Sequence, residues 1–161
     1  VIYYALKQKF FKIPNIKFEI PLSEYISCNV LGNHLMAAHG DTILNIGNPG
    51  KAINTQKAVN ITNSINATRP ESEKFKLFVI GHVHVGTVFH MENGATFMTN
   101  GALKPADGYS HTLNSIRNSR GQFVFESTPD FIFGDSRYIT VDEYTDKDSA
   151  LDKIIQPFPG F

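Results

Sequence analysis

The sequence predicts an α/β chain in which strands form a mixed or antiparallel sheet, dominate the second half, and leave few helices. Three observations predict it. Two short apolar runs, Leu35 to Ala38 and Leu77 to Ile80, each stop at a histidine and glycine turn, and their length suits a strand buried on both faces, although periodicity alone leaves a buried helix open. An Asn93-Gly94 pair between two apolar segments is a strong hairpin signal. Helical spacing is confined to two stretches, one at each side of residue 40.

Taken in order, "YYALKQKFFKIP" spaces Tyr3, Leu6, Phe10 and Phe11 as a helix would, and Pro14 should end it. "IKFEI", Ile16 to Ile20, alternates like a strand that Pro21 closes. "NHLMAAHGD" supplies the first buried strand and delivers His39 to Gly40 and Asp41. The turn-rich "NIGNPGK" precedes "AINTQKAVNITNSINA", a weakly amphipathic helix with Ile53, Val59 and Ile65 among its apolar positions. The polar "TRPESEKFK" leads into the strand "LFVIG". Two strands then meet at Glu92-Asn93-Gly94, and "GQFVFES", Gly121 to Ser127, is a further strand. Residues 1 to 127 read as one body, and 128 to 161, with Pro129, Pro157 and Pro159, as an extension packed on it.

A chain of 161 residues is long enough to bury a real core. Lys plus Arg and Asp plus Glu both count 15, so no overall basic field argues for nucleic acid or an anionic membrane. The single cysteine, Cys28, excludes an internal disulfide, and no stretch of about 20 apolar residues suggests a membrane span, so a reducing, cytoplasmic setting without membrane association is expected. The chain opens Val1-Ile2-Tyr3 without methionine, which fits excision from a longer polypeptide.

The chemistry concentrates in histidines. Of the six, His90 and His111 sit in no recognisable context and are expected to be structural or solvated. His39, by contrast, follows an apolar run, and "FVIGHVHVG" repeats that arrangement with His82 and His84 after Gly81. A strand end is held rigidly by its sheet, and α/β proteins place sites there. Glycine beside the histidine lets the backbone turn and a ligand approach. In a continuing strand His82 and His84 would point the same way about 7 Å apart, and if the backbone curls they could share one ion. A two-metal centre needs ions roughly 3.5 to 4 Å apart, which a pair of imidazoles from one short segment suits. Imidazole ligates zinc, iron, nickel and copper, while carboxylates admit manganese more readily.

"HGD" at His39 to Asp41 followed by "GHVH" at Gly81 to His84, each after an apolar strand, resembles the C-terminal half of the calcineurin-like metallophosphoesterases. "TNGALKPADGYS", Thr99 to Ser110, resembles that family's last core strand and loop. The resemblance covers roughly residues 16 to 127. It implies an α/β sandwich and a centre of two divalent ions, manganese, iron or zinc, that activates water to hydrolyse phosphate mono- or diesters. His39 and His82 would ligate one ion and His84 the other, with Gly40, Asp41 and Gly81 supporting the ligands from behind.

The family's N-terminal half should bring a D-x-H pair, a bridging aspartate and a G-N-H followed by an acidic residue. "GNHL" at Gly32 to Leu35 has leucine in the acidic position and lies five residues ahead of His39, so Asn33 and His34 are read as coincidence. Three imidazoles without the bridge would hold metal weakly or not at all. The chain therefore reads as half of a site, inactive or nearly so alone, whose expected partners are the rest of the same domain, a phosphate ester, and a second copy covering exposed sheet. A nuclease would need a basic groove, for which Arg117 and Arg120 are thin support. Two alternatives stand beside the phosphoesterase: an interaction module that keeps the fold without catalysis, and a single ion held by His39, His82 and His84. A Ser110–His111 nucleophile and base is the least favoured, because adjacent residues rarely meet the geometry of a triad.

Overall fold

The computed structural model describes residues 2–41, 53–103 and 120–140. Helix α1, Ile2–Phe10, forms where the spacing places it and buries none of its residues. It ends ahead of Pro14, with the Ile13 amide donating to the Phe10 carbonyl at 3.0 Å. "IKFEI" is not a strand, a correction with a local cause. Proline bounds it at 14 and 21, and Lys17 and Glu19 pair with each other at 2.5 Å in solvent. Without a neighbouring strand, alternation has no sheet to serve.

Strands β1, Tyr25–Val30, and β2, Asn33–Ala38, form an antiparallel hairpin. Its two-residue turn puts Leu31 and Gly32 at φ 53° and 87°. Positive φ at both central residues is the type I′ signature, which matches the twist of the flanking strands. Asn29 Oδ1 accepts from the Gly32 amide at 2.9 Å and steadies it.

Helix α2, Thr55–Ala67, begins at an Asn54 cap whose side chain accepts from the Lys57 amide at 2.9 Å. Its fully covered stripe is Ala58, Thr62 and Asn66, at helical spacing. Ile53, Val59 and Ile65 flank that stripe, half-buried against the core. Asn66 does more than pack: its side chain donates to the Phe75 carbonyl and accepts from the Phe75 amide, both at 2.9 Å. It thus satisfies both backbone groups at the start of β3, Phe75–Ile80.

β4, Thr87–His90, and β5, Thr96–Thr99, make the hairpin that Asn93-Gly94 signals, with Gly94 at φ 81°. The five strands run β1-β2-β3-β5-β4, with β2–β3 and β3–β5 parallel and the outer pairs antiparallel. β6, Gly121–Phe125, and β7, Ser136–Thr140, form a separate antiparallel pair. That pairing joins residues on both sides of position 127, where the sequence marks the start of the extension.

The sheet is covered on both faces. Phe75, Phe78, Ile80, Met36 and Phe97 pack with Ala58 of α2. Leu77 and Met98 pack on the opposite face with Ile132, Phe123, Phe125 and Phe133 from the β6–β7 region. A register shift between His34 and Leu35 of β2 lets Phe75 and Phe78, three apart, share a face. The result is the mixed, strand-rich α/β architecture with few helices, layered as helix, sheet and hairpin.

Candidate functional site

Because β2 and β3 are parallel neighbours with Ala38 opposite Ile80, their carboxyl ends lie side by side. The Gly81 amide donates to the Ala38 carbonyl at 3.0 Å and extends the ladder by one step. Beyond it both chains turn. Gly40 takes φ 100°, and a Cβ there would collide with Ile80 Cγ2, so the turn has room only for glycine. A Cβ on Gly81 would meet the His39 carbonyl oxygen at 3.3 Å, which shows how closely the two segments approach.

His82 and His84 do not continue the strand. They take φ 66° and 59°, so the extended arrangement with both imidazoles on one side is replaced by a curled one. The Val83 amide donates to the Gly81 carbonyl at 2.7 Å, a tight i to i+2 turn around His82. Val83, fully buried in the α2-side core, is the anchor between the two half-buried histidines. Left-handed backbone at two histidines one residue apart costs free energy and persists because the surrounding packing imposes it.

The turn brings His82 Nδ1 to 3.3 Å from His39 Nε2, with the rings edge to face and their centroids 5.0 Å apart. One ring nitrogen donates to the other, the direction being set by the tautomers. Two imidazoles on one tetrahedral ion, with bonds of about 2.0 to 2.1 Å, have their nitrogens about 3.3 to 3.4 Å apart. The pair therefore fits two positions of such an ion. His84 lines the same cavity as His39 and His82. Among the described residues, however, no group of three His, Cys, Asp or Glu is placed to hold an ion. Asp41 is exposed one step past Gly40.

The cavity has a volume of about 660 Å³. Besides the histidines, its wall includes Phe18, Glu19, Pro21, Glu24, Tyr25 and Ile26. The hydrogen bond from Lys17 and its positive charge hold the Glu19 carboxyl below its ordinary range, and raise Lys17 in return. Cys28, half-buried in β1, has its thiol pushed up by burial and then by the charge of Glu19.

His34 and His90 have local work. His34 Nε2 lies 3.4 Å from Asn29 Nδ2 across the hairpin, and His90 Nδ1 bonds Thr96 Oγ1 at 2.9 Å. Asn33 of "GNHL" is buried, donates to the Thr128 and Pro129 carbonyls, and accepts from Lys76 Nζ at 2.8 Å. Thr99 is buried and donates to the Val85 carbonyl at 2.6 Å, while residues 104 to 119, including Ser110, His111 and Arg117, lie outside the described residues. Arg120 donates to the Leu103 carbonyl at 3.0 Å. Sequence reasoning missed the wall of β1. Its only local signal was the glycine of the Leu31-Gly32 turn, and its place beside His39 follows from the hairpin register.

Among the described residues, no helix is long and apolar enough to cross a membrane. No protein-family model matches the sequence, and no curated protein does. Among solved structures the chain is similar to a conserved uncharacterised protein of Streptococcus pneumoniae TIGR4 that is identified as a predicted phosphoesterase, with 16% identity, a TM-score of 0.42, and coverage of 79% of this chain and 67% of that one.

Proposed function

We propose that the chain supplies imidazole ligands to a divalent-metal centre that hydrolyses phosphate esters, as the C-terminal part of a metallophosphoesterase. The observation that carries this reading is the convergence of "HGD" and "GHVH" on one cavity, with His39 Nε2 and His82 Nδ1 3.3 Å apart. A bound ion would polarise a phosphoryl oxygen and make hydroxide available at neutral pH. His39 and His82 would hold that ion jointly. His84, turned out of the strand by its own left-handed backbone, would serve a second ion in the same cavity. Gly40 and Gly81 keep the two turns close enough for the imidazoles to meet. Imidazole donors alone favour zinc or iron, and added carboxylates would admit manganese.

That the described residues offer no three-ligand group favours a centre completed by further ligands over one ion held by three histidines alone. The test is hydrolysis of bis(p-nitrophenyl) phosphate with manganese or zinc. Slow turnover above the metal-only blank, lost in both His82→Ala and His84→Ala, is expected. Turnover that survives both substitutions would contradict the reading, and turnover that stays absent when the segment carrying the missing ligands is supplied would support the non-catalytic module instead.

A further inference from the structure

The wall beside the histidines is apolar. Phe18, Pro21, Tyr25 and Ile26 line it, and among the described wall residues there is no lysine or arginine, while Glu19 and Glu24 are carboxylates. From these features we infer that the site takes a single phosphate ester with an uncharged aryl or bulky alkyl group, rather than a nucleic-acid strand. The inference rests on the phosphoesterase reading and adds the substrate class to it.

Register fixes the geometry. Tyr25 pairs with Ala38 and Ile26 with Ala37, so both stand beside the strand end that delivers His39. They remain 38% and 47% exposed, so each has apolar surface left to cover. A ligand whose phosphate sits at His39 and His82 meets this surface with its organic part. A cavity of about 660 Å³ falls within the range of small-molecule sites. A nucleic-acid strand brings several phosphates, each of which normally recruits Lys or Arg, and this wall offers carboxylates in their place. Lys17, paired with Glu19 at 2.5 Å, is absent from the wall. Arg120 donates to the Leu103 carbonyl and is absent from the wall.

The experiment is calorimetry of the full chain in zinc, with inorganic phosphate, 1-naphthyl phosphate, 1-naphthol and a ten-residue oligothymidylate as probes. Naphthyl phosphate should bind at least about tenfold tighter than inorganic phosphate. Ile26→Asn and, separately, Tyr25→Ala, which add no charge, should remove that advantage without weakening inorganic phosphate. Two variants on an exposed edge strand, each checked by circular dichroism, guard against misfolding of one. Equal affinity for naphthyl and inorganic phosphate, or tighter binding of the oligonucleotide, overturns the inference while leaving the phosphoesterase reading intact if His82→Ala still abolishes phosphate binding. Naphthol binding as tightly as naphthyl phosphate, or phosphate binding indifferent to His82→Ala, overturns both.

Discussion

At the scale of single residues, the site depends on backbone that only particular positions tolerate. Gly40, at φ 100° and against Ile80, is the clearest. Gly40→Ala should lower stability by at least about 2 kcal/mol in urea unfolding, because it combines left-handed strain with a clash against a core side chain. Cys28 allows a check of burial: since its thiol is held above its ordinary range, iodoacetamide at pH 8 should modify the folded chain more slowly than the urea-unfolded one, and the difference should shrink as pH rises past the folded pKa. Equal rates would contradict the half-buried placement of Cys28 in β1. The three histidines were legible in the sequence because glycines and apolar runs mark strand ends. Their curl was not, since φ at His82 and His84 is set by Val83 sinking into a core built from distant segments.

Between elements, one side chain ties α2 to the start of β3. Asn66 stands in for a strand at Phe75, and Asn66→Leu would leave a buried amide and carbonyl unpaired. The expected cost is about 2 to 4 kcal/mol in chemical denaturation. Lys17→Ala should leave the denaturation midpoint unchanged, because both partners of its ion pair are exposed. Elements whose signals were local were readable: α1, α2, the β4–β5 hairpin and the two buried strands. β1 was not, because an edge strand with three exposed positions at its start lacks the alternation a half-buried strand shows. "IKFEI" showed that alternation and still failed, since a strand needs a neighbour as well as a pattern.

At the scale of the whole molecule, the described residues form a sheet covered by α2 on one face and by the β6–β7 region on the other, and the cavity opens where β2 and β3 end beside β1. The mixed sheet was legible as a class, because continuous apolar runs mean parallel central strands and Asn-Gly means a hairpin. The cavity wall was not, because it is assembled from pieces as distant as Phe18 and Gln122. The central claim is that His39 and His82 act on one ion. Zinc calorimetry on the chain, on His39→Ala, on His82→Ala and on the double variant tests it most directly. If the two share an ion, either single substitution should cost nearly as much affinity as both together, by at least about tenfold. Single losses that add independently, or zinc affinity unchanged in all three variants, would contradict it.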